Sequence, residues 1–145
     1  MPIDWKQDLE TGIEEIDNQH RSIFDKINVL MEAVQARRGK EEVGKTIDFL
    51  GDYVVTHFAA EEKFMAVRQY PNLAAHRAAH ILFLNDFQIL KGQFDREGAS
   101  LSLVFSVQRQ VVDWLFEHIR GTDKAMAAYV RNQPRPSGSK EKPLS

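Results

Sequence analysis

The stretch LAAHRAAHILFLNDFQILKGQF, residues 73–94, places two histidines on what is otherwise the apolar face of a helix. Large apolar residues and histidines recur there in steps of three and four, the spacing of one helix face: Leu73, His76, His80, Phe83, Phe87, Leu90 and Phe94. His76 and His80 are four residues apart, so their side chains project from the same side of the helix. Such pairs occur on solvated helix faces as well as in metal sites, and the positions of the other histidines discriminate between the two.

Three other segments repeat this spacing, and each of them also contains a histidine. The first carries Ile13, Ile16, His20, Ile23, Ile27, Leu30 and Val34. The second carries Val43, Ile47, Leu50, Val54, His57, Glu61 and Phe64. The last carries Val104, Val107, Val111, Trp114 and His118. Each pattern predicts an amphipathic helix that buries this seam against neighbouring helices.

Helix-breaking residues separate the four segments. The breaks are Arg38-Gly39, Tyr70-Pro71 and Glu97-Gly98. Asp17 is expected to be the N-cap of the first helix. Because the connections are short, neighbouring helices should run antiparallel. The sequence therefore predicts an all-α fold: an up-down-up-down antiparallel four-helix bundle with an N-terminal arm and a short C-terminal helix.

Length and composition indicate one globular domain. The chain has 145 residues, of which 43% are hydrophobic and 28% charged, and its formal net charge is −2. We assign residues 1–133 to the bundle with its arm. Residues 134–145, PRPSGSKEKPLS, have the composition of a disordered tail.

The same numbers exclude several classes of function. The charge balance provides no basic face for nucleic acid, and no apolar run approaches the roughly 18 residues of a membrane span. The N-terminus, MPIDWKQDLETG, lacks the pattern of a signal peptide, so we expect a cytoplasmic protein. The sequence has no cysteine, so any metal must be bound through nitrogen and oxygen.

All five histidines lie on the predicted seams. In an up-down-up-down bundle they fall at the same end: His20 early in the first helix, His57 late in the second, His76 and His80 at the start of the third, and His118 late in the fourth. Hydrophobic patterning does not require this convergence. Buried imidazoles need hydrogen-bond partners, and a metal ion supplies them.

Two carboxylates belong to the same cluster. Glu61 follows His57 by four residues on one seam, where a glutamate is costly unless it is paired or bound to a cation. Asp123 follows His118 by five residues, and a regular helix would turn it away. We expect Gly121 to let the chain unwind or bulge there and bring the aspartate back.

Each motif has a simpler interpretation when it is taken alone. The pairs in HRAAH and HFAAE occur on helix surfaces, and Glu62 is expected to be solvated. Asp123, or its neighbour Thr122, could cap a short last helix. Five histidines and two carboxylates at one end of one bundle nevertheless predict a metal site.

The ligand types narrow the choice of metal. Imidazoles and carboxylates without sulfur suit iron, manganese or zinc. Seven side chains exceed the needs of one ion, so we predict two ions bridged by both carboxylates and by an oxide or hydroxide. In two octahedral shells these ligands fill every position except one, which could accept a small diatomic molecule. The histidine-rich ligand set favours mild, reversible redox chemistry.

The sequence resembles the bacterial hemerythrins. The motifs that carry the resemblance are IDNQH (16–20), HFAAEE (57–62), YPNLAAHRAAH (70–80) and HIRGTD (118–123), with Trp5 and GIEEID (12–17) in the lead-in. The resemblance implies a non-haem di-iron centre that binds O₂ reversibly. It assigns His76, His80 and His118 to the saturated iron and His20 and His57 to the iron with the vacancy, with Glu61 and Asp123 as bridges.

The resemblance also implies an apolar pocket beside the vacancy. Its lining would be Ile23, Phe58, Trp114, Leu115 and Ile119. As a group these side chains should keep water and anions from the iron and slow its autoxidation.

Several functions are compatible with such a centre. O₂ carriage, storage or delivery is favoured, because no spare acid, base or nucleophile accompanies the vacancy, and we expect no enzyme. The alternatives are a di-iron oxidoreductase that turns over peroxide or NO, a stand-alone O₂ or redox sensor and, more weakly, a zinc or iron buffer. We expect a monomer, for which an O₂-consuming enzyme or a reductase would be a compatible partner.

Overall fold

Four helical rods form the bundle in the computed structural model, which describes residues 3–132. After a 3-10 turn at Gln7–Leu9 come three regular helices: α1 (Glu14–Gln35), α2 (Lys40–Val67) and α3 (Leu73–Glu97). The fourth rod contains α4 (Leu101–Val107), a first π turn (Gln108–Asp113), α5 (Trp114–Glu117), a second π turn (His118–Asp123) and α6 (Lys124–Asn132). Each rod packs against the next along the chain, which confirms the predicted all-α bundle. The predicted disordered tail, 134–145, lies outside the described residues.

The three predicted breaks separate the helices. Arg37, just after α1, has a φ of 57°, and Gln69, just after α2, has a φ of 54°. Gly98 follows α3 with a φ of 71°, a conformation that glycine adopts without a steric penalty. Ser100 then caps α4, since its hydroxyl accepts a hydrogen bond from the Leu103 amide at 3.1 Å.

Asp17 is not the N-cap that the sequence predicted. The first helix begins at Glu14, so Asp17 lies in its first turn. Its carboxylate instead accepts hydrogen bonds from the preceding segment: the amide and hydroxyl of Thr11 donate to Oδ1, both at 2.8 Å, and the Gly12 amide donates to Oδ2 at 3.2 Å. This buried aspartate therefore fixes the lead-in onto the helix that follows it.

The fourth rod is buried at every fourth position, at Leu103, Val107, Val111, Leu115, Ile119, Asp123 and Ala127, and also at Val112, His118 and Met126. An α-helix would let this face drift by about 40° per step, or about 240° over the six steps. Each π turn accommodates one extra residue and so removes about 100° of that drift. The predicted seam was therefore partly wrong, because Leu103 and Leu115 fill the core while Val104 and Trp114 are only partly buried.

The predicted N-terminal arm packs along α1 and the fourth rod. The Ile3 amide donates to the Asn28 side chain at 2.7 Å, and the Asn28 amide donates back to the Ile3 carbonyl at 2.9 Å. Farther along the arm, the Asp8 carboxylate accepts a hydrogen bond from Arg120 at 2.9 Å. The Asp8 carbonyl also accepts one from Lys124 at 2.8 Å. The arm is thus bound both to α1 and to the end of the fourth rod.

Two apolar clusters make up the core. The larger one runs along the bundle, and a smaller one closes the end beneath the arm: Ile13, Ile16, Phe64, Met65, Tyr70, Met126 and Ala127. About one helical turn separates the smaller cluster from the predicted metal ligands, so those polar residues lie in a layer between two apolar ones. Among residues 3–132 no helix is both long and apolar enough to cross a membrane.

Candidate metal centre

The structure brings together all seven side chains that the sequence singled out as metal ligands. His20 comes from α1, His57 and Glu61 from α2, and His76 and His80 from α3. The second π turn supplies His118 and Asp123 at its two ends. None of the seven is more than 5% exposed. Seven polar side chains from all four rods therefore meet in a dry layer of the core.

The two carboxylates divide the histidines into two groups. Glu61 Oε1 lies 3.1 Å from His76 Nε2 and 3.2 Å from His80 Nε2, whereas its Oε2 lies 2.9 Å from His57 Nε2 and 3.3 Å from His20 Nε2. Asp123 divides its oxygens in the same way. Each carboxylate thus directs one oxygen toward each group of imidazoles.

Asp123 completes both groups. Its Oδ1 lies 3.0 Å from His76 Nε2 and 3.1 Å from His118 Nε2, and its Oδ2 lies 3.0 Å from His20 Nε2. Two sets of candidate donors result, with the donor atoms of each set within 4.8 Å of one another: Glu61, His76, His80, His118 and Asp123 in one, and His20, His57, Glu61 and Asp123 in the other.

Many of these atoms are close without being hydrogen bonded. Buried atoms that lack a hydrogen-bond partner include the Nε2 atoms of His20, His80 and His118, Oε2 of Glu61 and both oxygens of Asp123. Each unpaired buried polar atom is costly, and six in one layer would be expensive. The atoms point at shared positions between them rather than at one another. Nitrogen and oxygen donors in this arrangement fit a pair of metal ions.

Without metal, protons would partly take the place of the cations. Burial on its own lowers the pKa of His20, but the nearby carboxylate oxygens of Asp123 and Glu61 outweigh it and raise that pKa to about 9. The same balance of burial against the two carboxylates raises the pKa of His76 to about 9. In the metal-free site, His20 and His76 are therefore imidazolium groups that face the two carboxylates.

The carboxylates shift in the opposite direction. Burial tends to raise the pKa of Glu61, yet the charge of His57 and the close approach of three imidazoles hold that pKa well below its ordinary value. Burial and the charge of Glu61 likewise tend to raise the pKa of Asp123, and the adjacent His118 and His20 lower it. Both carboxylates therefore remain ionised and available to a cation.

The second π turn is what places Asp123 in the site. In a regular helix the five residues from His118 to Asp123 span about 500°, which leaves the two side chains about 140° apart. The wider π turn returns Asp123 to the seam, as the sequence analysis predicted. Gly121 itself is not needed for this, because its φ is not positive and a Cβ there would meet nothing within 4 Å.

Comparison with known proteins identifies the family. The family described as "Hemerythrin HHE cation binding domain" matches residues 11–130. The chain belongs to the hemerythrin family. It is 37% identical over 127 residues to a bacteriohemerythrin of Stenotrophomonas maltophilia, covering 88% of this chain and 80% of that one.

More distant relatives and a solved structure agree with this assignment. A myohemerythrin of Theromyzon tessulatum is 25% identical over 122 residues, covering 84% of this chain and 88% of its own. A crystal structure of wild-type hemerythrin has a TM-score of 0.78 and 33% identity, covering 88% of this chain and 97% of the other. Membership of the hemerythrin family implies O₂ binding at a non-haem di-iron centre, with which the cluster of histidine, glutamate and aspartate is compatible.

Two of the five clustered histidines have side-chain partners at Nδ1, the ring nitrogen that does not face the two carboxylates of the cluster. His57 Nδ1 lies 2.6 Å from Gln19 Oε1, and His80 Nδ1 lies 2.9 Å from Glu62 Oε2. Glu62 also accepts a hydrogen bond from Arg77 at 3.1 Å. The expectation that Glu62 is merely solvated was therefore wrong: its side chain is 24% exposed and contacts a residue of the cluster.

The residues predicted to line the pocket belong to the larger apolar cluster or pack against it. Ile23, Phe58, Leu115 and Ile119 are buried, and Trp114 is partly buried. Phe58 stacks on His80 with 3.8 Å between ring centroids, and Trp114 stacks on His118 at 4.4 Å. The predicted lining did not include Trp5, whose ring lies 6.3 Å from that of His20. Only its place in the arm could have suggested this contact.

Proposed function

We propose that this chain binds O₂ reversibly at a di-iron centre and serves in O₂ carriage, storage or delivery. The division of the oxygens of Glu61 and Asp123 between two groups of imidazoles carries this proposal. It supports a pair of ions rather than one, with both carboxylates as bridges and an oxide or hydroxide as a third bridge. Three histidines would hold one ion (His76, His80 and His118), and two would hold the other (His20 and His57).

The unequal numbers of histidines would leave the coordination incomplete at one ion. With three bridges and two imidazoles, the second ion would have one octahedral position open. When bound, the iron pair supplies the two electrons that reversible O₂ binding needs. The chain adds no further acid or base at this position, because all five of its histidines are within the cluster. This supports binding without turnover, the behaviour that distinguishes O₂-binding hemerythrins from classical enzymes.

The surrounding side chains would control what reaches the open position. We assign Ile23, Phe58, Trp114, Leu115 and Ile119 to the pocket, in line with their burial against the core side of the cluster. An apolar lining excludes water and anions, which would otherwise occupy the site and promote oxidation. The role of these residues is thus to keep the pocket dry.

The test is a metal and oxygen titration of the purified protein. We expect about two irons per chain, and a visible absorption band that forms when O₂ is admitted to the reduced protein and disappears when O₂ is removed. A band that never forms or cannot be reversed would contradict the proposal. Sustained consumption of peroxide or NO would indicate an oxidoreductase instead, and zinc or a single ion per chain would indicate a different metal protein.

A further inference from the structure

Two imidazoles of the cluster have side-chain hydrogen-bond partners at Nδ1, and these two partners differ in charge. On the three-histidine side, Glu62 of α2 accepts a hydrogen bond from His80 Nδ1 at 2.9 Å. On the two-histidine side, Gln19 of α1 lies against His57 Nδ1 at 2.6 Å through its carbonyl oxygen. Neither Glu62 nor Gln19 is within the sets of candidate metal donors.

These contacts fix which nitrogen of each ring faces the metal centre. An ionised carboxylate and an amide oxygen can only accept hydrogen bonds, so the proton of a neutral imidazole must lie on Nδ1. The Nε2 lone pairs of His57 and His80 then face Glu61 at 2.9 and 3.2 Å. In each case the nitrogen lone pair and the Glu61 oxygen that it faces repel each other unless a cation lies between them.

Glu62 is itself held in place. Its other carboxylate oxygen, Oε1, accepts a hydrogen bond from Arg77 Nε at 3.1 Å, one helical turn before His80 on α3. Both oxygens of Glu62 are therefore used, one by the ligand and one by an arginine. A carboxylate restrained in this way can orient His80 and prevent rotation of its ring.

We propose that Glu62 and Gln19 are positioning residues that make the two irons electronically unequal. The anionic acceptor Glu62 increases the electron-donating strength of His80. The neutral amide of Gln19 has a smaller effect on His57. The ion with three histidines is thereby biased toward its ferric form relative to the ion with the open position. This inference rests on the proposed di-iron function and assigns two residues to its control.

Charge exchange at the two positions provides the test. Glu62→Gln removes the charge and keeps an amide oxygen as acceptor, so the midpoint potential of the iron pair should rise and autoxidation should slow. Gln19→Glu adds a charge behind His57, so the potential should fall and autoxidation should accelerate. Both variants should retain two irons per chain and wild-type helicity by circular dichroism.

Truncation separates positioning from charge. Glu62→Ala leaves His80 without its acceptor and should lose iron to a chelator about tenfold faster than the wild type. Glu62→Gln should restore most of this retention, because an acceptor is again present. Gln19→Ala should accelerate iron loss in the same way on the other side.

Two exposed positions serve as matched controls. Glu41→Gln on α2, where the side chain is 88% exposed, and Gln88→Glu on the exposed face of α3 make the same charge changes away from the cluster. They should leave the midpoint potential unchanged. Equal shifts in the controls, shifts of the same sign at Glu62 and Gln19, or wild-type potentials in both would overturn the inference. A wild-type protein that does not load two irons would instead refute the proposed function itself.

Discussion

His76 illustrates how much depends on single atoms in this site. Its Nε2 is 3.1 Å from Glu61 and 3.0 Å from Asp123, so one imidazole faces both carboxylates within the three-histidine group. The sequence revealed His76 because a seam of large apolar residues has no other reason to include it. It did not reveal Glu62, because a contact between α2 and α3 depends on how the helices are rotated against each other.

Replacing His76 should therefore remove metal rather than unfold the chain. We expect His76→Ala to bind fewer than two irons after reconstitution, because one ion loses a ligand that both bridges face. Iron per chain, measured by a colorimetric assay, tests this. Asn85→Ala, an exposed change on the same helix, is the control and should bind two. Full loading of the His76 variant would remove this histidine from the ligand set.

Leu115 should affect the lifetime of the reduced iron and not its binding. This leucine is 4% exposed and packs in the core next to the cluster. Leu115→Ala should keep two irons but autoxidise several times faster, because the shortened side chain admits water, and it should cost about 2–5 kcal/mol of stability. The decay of the oxygenated spectrum measures the effect. Leu101→Ala, at a position that is 72% exposed on the same rod, should decay at the wild-type rate.

At the scale of elements, the fourth rod departs most from a regular helix. The sequence predicted the second π turn because His118 and Asp123 needed to face the same site across five residues. The first π turn was missed, although the repeated steps of four from Leu103 to Ile119 contained the signal. A regular α-helix buries residues in alternating steps of three and four, and this expectation placed Val104 and Trp114 on the seam.

A change in the length of the second π turn should impair metal binding without reducing the helical content. Inserting one alanine after Gly121 moves Asp123 about 100° farther around the rod. We expect this variant to remain helical by circular dichroism and to bind fewer than two irons. Gly121→Ala is the control: space is free around this position, so it should bind two irons and gain about 0.5–1 kcal/mol of stability. An insertion variant that loads fully would show that the register can adjust.

At the scale of the whole molecule, the polar layer of metal ligands lies between two apolar clusters. This arrangement follows from the seams, so the sequence could predict the bundle and the end at which the histidines meet. The path of the arm along the bundle could not be predicted, because residues 3–11 have no helical period. Their position depends on individual bonds such as those from Asn28.

The buried charges give the metal-free protein a distinct pH dependence. Because the pKa values of His20 and His76 are raised to about 9, their contribution to stability is complete below about pH 6.5 and is lost as the pH rises through 9. The pKa values of Glu61 and Asp123 are lowered, so these carboxylates contribute to stability when the pH is above their ordinary pKa values. That contribution is lost in acid. The metal-free protein should therefore be most stable between about pH 5 and 6.5.

Thermal unfolding with and without iron tests this linkage. The Tm of the metal-free protein should fall by several degrees between pH 6.5 and 9, whereas the loaded protein, whose imidazoles bind iron instead of protons, should show no such fall. Iron binding should release protons, so its affinity should increase with pH over the same range. A flat Tm profile for the metal-free protein would contradict the network of imidazolium and carboxylate groups.

The bonds between the arm and the last rod also connect the lead-in of α1 to the end of the described chain. Asp8 contacts Arg120 and Lys124, and the Thr11 carbonyl accepts a hydrogen bond from Arg131 at 2.8 Å. The turn between α1 and α2 lies at the opposite end of the bundle. A circular permutant that starts at Gly39 and joins α6 to the arm through a linker long enough to reach Ile3 beside Asn28 would therefore change the order of the helices along the chain while leaving every metal donor in its place.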